Sequence, residues 1–151
     1  MKKILITAIF ASQTLLADRI YPEPKAKKNA YIYMSHVAEL AKELKSLVDD
    51  LEPKVKAHVE KLGNNSSAKI ALRDVQEMQS ACAEFSNYVG MGIPNPQMSI
   101  TKLNDLYDAW TNSIKTYGDV KPTPNLVQEG FAVSAAMQKI LDYYQYYIIE
   151  R

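Results

Sequence analysis

The sequence has few of the residues that form disulfides, bind metals or open phosphate-binding loops. It contains one cysteine, two histidines and five glycines in 151 residues. An exported domain stapled by disulfides needs an even set of cysteines, so a packed core has to supply the stability. Covalent haem needs a Cys-x-x-Cys-His motif, which is absent, and no glycine-rich phosphate loop or zinc-ligand spacing occurs. We therefore expect no cofactor.

Long apolar runs are also lacking. The longest covers residues 4–11, interrupted only by Thr7, whereas a membrane-spanning helix needs about 20 apolar residues. It follows two lysines and precedes Ala17, an order typical of a secretory signal peptide. The alternative is the first buried strand of an α/β protein, but no glycine-rich turn follows it. We predict a cleavable signal peptide over residues 1–17, a periplasmic or secreted location and no transmembrane segment in the mature chain.

A strong net charge is absent as well. Loss of Lys2 and Lys3 with the leader would reduce the 18 basic residues to 16, against 17 acidic ones. Nucleic-acid binding usually requires a strongly basic face. We therefore expect no nucleic-acid partner.

Four stretches of helical spacing follow. Their apolar residues recur at steps of three and four, which places them on one face of a helix. The stripes are Met34, Val37, Ala41, Leu44, Val48, Leu51 and Val55, continuing through His58 to Leu62; Ala71, Val75, Met78, Cys82, Phe85 and Val89; Ile100, Leu103, Tyr107, Trp110, Ile114 and Tyr117; and Val133, Met137, Ile140, Tyr144 and Tyr147. The pattern predicts an all-α, up-and-down four-helix bundle over residues 29–151, after an extended basic arm at 18–28.

Helix-ending and helix-starting residues separate these stretches. Gly63 is suited to the left-handed turn that ends a helix, and Ser66 or Ser67 to the next N-cap. Thr123 precedes Pro124, which is tolerated at the first helical position. Pro53 lies inside the first stretch and removes a backbone hydrogen bond, so we predict that the first helix is kinked or broken there.

Few polar residues are candidates for chemistry. We expect His36 to be a solvated surface residue and His58 to be half-buried and hydrogen-bonded, with a metal or acid–base role as the alternative for His58. Cys82 lies on an apolar stripe, which favours a buried thiol; an interchain disulfide is the alternative. The carboxylates of Asp49, Asp50 and Glu52 splay around the helix, so solvated charge is favoured over an acid–base pair.

The ten tyrosines are the most unusual feature, with four between residues 143 and 147. Tyr144 and Tyr147 fit the core stripe, so Tyr143 and Tyr146 should point to another side. Aromatic side chains outside a core are typical of binding hot spots, although a helix buried on two sides would explain them too. Other candidates are the loop at 90–96 and the lysine-rich arm, which is either a solvated linker or a contact for an acidic partner or envelope surface. The predicted partner-binding residues are Tyr143, Tyr146, Met91, Ile93, Lys25, Lys27 and Lys28.

These features favour an exported, non-enzymatic helical module that binds another protein, such as an inhibitor, an immunity protein or a secretion or envelope accessory factor. One alternative is a cofactor- or metal-binding bundle that uses His58. A second is a structural homo-oligomeric envelope protein, and a homodimer is compatible with both the favoured function and this alternative.

Overall fold

The computed structural model describes residues 25–92 and 94–150. Its four α-helices are α1 (Ala30–Lys61), α2 (Ser66–Val89), α3 (Pro96–Tyr117) and α4 (Pro124–Tyr143). The predicted all-α class and the four helices are confirmed. The predicted signal peptide and residues 18–24 of the predicted arm lie outside the described residues.

Two short helical turns complete the chain. A 3₁₀ turn, Gly118–Val120, follows α3, and a π-helical turn, Tyr144–Ile148, continues α4. In the described ranges the β-structure is confined to an isolated antiparallel bridge between Ala26 and Ile149. The bridge brings the first described residues to the last turn of the chain.

Neighbouring helices run in opposite directions. α1 packs against α2 and α4, and α2 also packs against α3. Side-chain contacts show the directions, because residue numbers rise along one helix and fall along its partner. The pairs are Asp49 with Gln79 and Glu52 with Gln76, Asp74 with Thr116 and Glu84 with Lys102, and Glu43 with Lys139 and Lys54 with Glu129. The starts of α1 and α3 therefore lie at the same end of the bundle as the ends of α2 and α4.

Asparagine and threonine side chains cap the N-termini of three helices. Asn65 Oδ1 accepts a hydrogen bond from the backbone N–H of Ala68, so Asn65 caps α2 and the prediction of a serine cap is wrong. Asn95 and Thr123 cap α3 and α4 in the same way, and each satisfies N–H groups that have no partner inside the helix. Gly63 follows α1 with φ of +69°, the left-handed conformation predicted for it.

The first helix continues through Pro53 without a break. Leu51 and Val55 are both buried on either side of the proline, whereas Pro53 is exposed. Burial of the apolar stripe on both sides keeps the two halves in register, while the missing hydrogen bond falls on the solvent side. The predicted break is therefore wrong, and a bend at Pro53 stays a prediction.

The stripe of α1 also ends differently from the prediction. Val59 is buried, whereas His58 is half-buried and Leu62 is exposed. A step of four from Val55 keeps Val59 on the core face, while His58 lies at its edge. The predicted continuation through His58 to Leu62 is wrong.

The π-helical turn changes which tyrosines enter the core. Tyr144 is buried as predicted, but Tyr147 is 45% exposed and Ile148 takes the core position instead. The backbone N–H of Ile149 donates to the carbonyl of Tyr144 at 2.8 Å, five residues back. Because a π-turn holds more residues than an α-turn, the core-facing position moves from Tyr147 to Ile148. The prediction of Tyr147 as a core residue is wrong.

A small apolar cavity lies where all four helices meet. It has a volume of about 30 Å³ and is lined by residues of every helix, including Val48, Met78, Trp110 and Val133. Beside it, α3 and α4 are joined by the Tyr117 hydroxyl, which donates to the carbonyl of Leu126.

Cys82 is a free thiol inside the bundle. Burial, and secondarily the negative charge of Asp49, raises the pKa of Cys82 to about 12. The thiol behaves as a small apolar side chain, and its burial agrees with the prediction. In the folded chain it is not exposed to a second copy, so this location gives no support to an interchain disulfide.

Candidate protein-binding surface

An aromatic surface lies between the start of α1 and the end of α4. The rings of Tyr33, Tyr143 and Tyr147 contact one another, with centroids 4.8–6.0 Å apart. His36 adds a fourth ring, 4.7 Å from that of Tyr143. Such spacings are those of attractive aromatic pairs. The three tyrosines and the histidine form one layer held by two helices.

This layer floors a surface groove of about 300 Å³, which we call the tyrosine groove. Its lining residues are His36, Leu40, Lys139, Asp142, Tyr143, Tyr146 and Tyr147. Tyr33, His36 and Leu40 lie three and four residues apart on α1, beside the buried stripe rather than on it. The antiparallel contact of α1 with α4 brings them opposite Tyr143. The groove therefore depends on pairing two helices that are distant in sequence.

The tyrosine rings of the groove differ in their exposure. Tyr146 is 66% exposed, whereas Tyr143 is half-buried. Burial raises the pKa of Tyr143, and the neighbouring hydroxyls of Tyr33 and Tyr147 raise it further. The hydroxyl of Tyr143 therefore stays protonated and can donate a hydrogen bond at neutral pH.

Of the two charged side chains that line the groove, Lys139 forms an ion pair and Asp142 is hydrogen-bonded to an amide. Lys139 Nζ lies 3.4 Å from Glu43 Oε1, an ion pair between α4 and α1. Asp142 accepts a hydrogen bond from Gln138 Nε2 at 2.8 Å, and within the described ranges it has no ion-pair partner. The groove can therefore offer hydroxyl donors, ring faces and one carboxylate to a ligand.

The described part of the arm lies next to the groove. The N–H of Lys27 donates to the carbonyl of Ile148, and Glu150 donates to the carbonyl of Lys25 at 3.4 Å. Lys27 Nζ donates to the backbone carbonyl of Tyr146. Residues 25–27 are thus hydrogen-bonded to residues 146–150. They do not form a free solvated linker, which was one of the two expectations for the lysine-rich arm.

The predicted loop residues lie apart from the groove. Met91 is 74% exposed just beyond α2, but it does not line the groove. Ile93 lies outside the described residues. The structure therefore brings Tyr143, Tyr146 and Lys27 together and leaves Met91 on a separate surface.

Sequence reasoning missed five of the seven residues that line the groove. They are His36, Leu40, Lys139, Asp142 and Tyr147. It also missed Tyr33, which belongs to the aromatic layer. The spacing of Tyr33, His36 and Leu40 along α1 marks a second apolar face next to the core stripe. The sequence of α1 therefore indicates this second face, but it does not indicate that α4 packs beside it.

The two histidines have ordinary surroundings. His58 Nε2 lies 2.6 Å from the carbonyl oxygen of Val120, which confirms the expected half-buried, hydrogen-bonded residue. His36 is half-exposed and lies 3.6 Å from Glu39. Over residues 25–92 and 94–150, no group of three or more His, Cys, Asp or Glu side chains is placed to hold a metal ion. No observation here favours the metal-site alternative for His58.

No helix in the described part of the chain has the length and apolar character needed to cross a membrane. No known protein family, curated protein or solved structure matches the chain. Its function therefore has to be inferred from its own residues.

Proposed function

We propose that the chain is an exported, non-enzymatic helical module that binds another protein through the tyrosine groove. The observation that carries this proposal is the exposed ring of Tyr146 beside a packed aromatic layer whose own member Tyr147 is also exposed. Tyrosine contributes a large contact area and a hydroxyl, and it loses little conformational freedom on binding. Rings fixed before binding reduce that loss further.

The surroundings of the groove also favour a macromolecular ligand. A volume of about 300 Å³ that is widely open at the surface offers a shallow footprint rather than an enclosing pocket. Ion pairs such as Lys139–Glu43 frame it with polar groups. An aromatic centre with a polar border is the usual anatomy of a protein interface. An inhibitor, an immunity protein and a secretion or envelope accessory factor would all use such a surface.

Export is the part of the proposal that rests on residues 1–17. The chain purified from an envelope fraction is expected to begin at Asp18, because the basic, apolar and small residues before it match a secretory leader. Intact-mass spectrometry measures this directly. A chain that keeps Met1 and stays in the cytosolic fraction would refute export and leave the binding surface to be judged separately.

The binding surface is tested by photo-crosslinking. A photoreactive phenylalanine analogue at Tyr146 is expected to crosslink one partner in living cells, whereas the same analogue at Leu62, at the far end of the bundle, should not. Mass spectrometry identifies the crosslinked chain. A second copy of this chain as the only product would instead assign the surface to a structural homo-oligomer.

Affinity for the identified partner then tests the tyrosines. Replacing Tyr143 and Tyr146 by alanine is expected to weaken binding by about 30-fold or more, the effect of losing a hot spot of about 2 kcal/mol. The matched variant Tyr143→Phe/Tyr146→Phe keeps the rings and should retain most of the affinity. Calorimetric titration gives both constants, and circular dichroism checks folding. Unchanged affinity in a folded alanine variant would discard the groove.

A further inference from the structure

One end of the bundle collects most of the exposed apolar side chains. We call it the apolar end: the starts of α1 and α3, the loop after α2 and the end of α4. Ser99 Oγ lies 3.9 Å from Met34 Sδ, and Lys27 pairs with Ile148, so these segments are in contact. Of the eight exposed large apolar or aromatic residues in the described ranges, six lie there. They are Tyr31, Ile32, Met91, Met98, Tyr146 and Tyr147.

Three lysines lie at the same end. Lys25, Lys27 and Lys28 have no ion pair among the described residues, and Lys25 and Lys28 are exposed. No acidic residue occurs in segments 25–38, 85–104 or 143–149. The three lysines therefore outnumber Glu150, the acidic residue whose backbone N–H donates to the carbonyl of Lys25 at this end.

The opposite end provides an internal comparison. Lys56, Lys61 and Lys69 are exposed there as well, but only two large apolar side chains, Leu62 and Ile70, are exposed beside them. Charge alone does not distinguish the two ends. The apolar end is distinguished by the combination of lysines with several exposed aliphatic and aromatic side chains, the most exposed of which are Met91 at 74% and Ile32 at 69%.

We infer that the apolar end docks on the surface of an anionic lipid bilayer. An acidic protein would match the lysines but leave Ile32 and Met91 in water, and an apolar groove would match those side chains but leave the lysines unpaired. A bilayer surface offers both partners, since lipid phosphates bind lysines and the acyl boundary takes up apolar side chains. Tyrosine is also favoured at that depth.

Docking in this orientation is peripheral. No described helix is suited to span a bilayer, so the contact would be made by side chains of the apolar end, including the lysines from Lys25 onward. The tyrosine groove lies on the α1–α4 side next to this end and would be held close to the membrane. The inference does not depend on the protein-binding proposal, because the two use different side chains except for Tyr146 and Tyr147.

Vesicle flotation of the chain without residues 1–17 tests the inference. The chain is expected to bind vesicles of phosphatidylglycerol and phosphatidylethanolamine, to bind phosphatidylcholine vesicles far more weakly and to be released by salt. Replacing Lys25, Lys27 and Lys28 by glutamine should weaken binding by about tenfold or more. The matched variant Lys56→Gln/Lys61→Gln/Lys69→Gln should bind as the wild type does. The chain is used in the form that begins at Asp18, so the apolar leader does not contribute and residues 18–24 are common to all variants.

A second pair of matched variants tests how much the apolar side chains contribute to vesicle binding. Replacing Ile32, Met91 and Met98 by serine is expected to weaken vesicle binding, whereas Leu62→Ser/Ile70→Ser should not. Circular dichroism checks that each variant is folded. The variant Tyr143→Ala, at a groove residue that is not among the exposed side chains of the apolar end, is expected to keep its vesicle binding, so failure of the protein-binding proposal would leave this result intact.

Three results would overturn the inference. They are absence of binding to the phosphatidylglycerol vesicles, equal loss in the variants of both ends, and full binding by the lysine variant. Capture of the chain by immobilised polyglutamate without binding to vesicles would assign the lysines to an acidic protein instead.

Discussion

Replacing Trp110 with alanine is expected to lower the free energy of unfolding by about 3–5 kcal/mol. The indole is 1% exposed and borders the cavity where all four helices meet. Its ring also packs against that of Tyr107, with centroids 5.7 Å apart. Removal of the indole would enlarge a void that exists already, and the surrounding helices can fill it only in part. Urea unfolding followed by far-ultraviolet circular dichroism measures the change, because the chain has no other tryptophan to report by fluorescence.

The phenylalanine variant is the matched control. Trp110 Nε1 is buried and has no hydrogen-bond partner among the residues that the structure describes. Trp110→Phe keeps most of the ring and removes the unpaired N–H, whose burial is itself unfavourable. We expect it to cost less than half as much as Trp110→Ala. Equal losses in both variants would contradict this account of the site.

The fold could be predicted because its signal is local. The stripe on α2 from Ala71 to Val89 is buried as the spacing requires, and Trp110 on α3 is buried for the same reason. Each segment shows helical periodicity in its own residues. Four helices can therefore be predicted without knowing how they pack. Pro124 and Gly63 mark boundaries that the structure keeps.

The predictions that were wrong concern departures from ideal helical spacing. Tyr147 was assigned to the core by α-helical spacing, but the π-turn at Tyr144–Ile148 shifts the core position by one residue. Ile148 and Ile149 are both buried there. Sequence spacing alone does not choose between Tyr147 and Ile148, because steps of three and of four from Tyr144 both fit a helical stripe.

The candidate site could be predicted only in part. Tyr143 and Tyr146 were identified from the crowding of tyrosines, which is visible in one segment. Tyr33 joins them through a contact between α1 and α4 that spans more than a hundred residues of sequence. Such a contact is set by which helices become neighbours, and spacing within one helix does not determine that.

Stability is expected to fall steeply as the pH rises above about 9. Burial raises the pKa of Cys82 to about 12, from a usual value of 9.0. Burial likewise raises the pKa of Tyr117 and Tyr144. Above pH 9 the unfolded chain loses the thiol proton while the folded chain retains it, so the unfolded state binds fewer protons. The contribution of Cys82 is therefore complete below about pH 9 and is lost between about pH 9 and pH 12.

The size of the effect follows from proton linkage. One such group changes the free energy of unfolding by at most about 1.4 kcal/mol per pH unit. Cys82 alone should then cost about 3 kcal/mol by pH 11, and the two buried tyrosines steepen the fall above about pH 10, where they ionise in the unfolded chain. Urea unfolding between about pH 8 and pH 11 gives the slope.

Cys82→Ala separates the thiol from the tyrosines. Loss of a buried side chain lowers the stability of this variant at neutral pH, but its stability should stay nearly level between about pH 8.5 and pH 10, where Cys82 is the main titrating group of the three. Above that range the variant should decline with the slope of the two tyrosines alone. If the variant fell as steeply as the wild type from pH 9, the alkaline loss would arise from other groups, and the thiol of Cys82 would be ionising at a similar pH in the folded and unfolded chains.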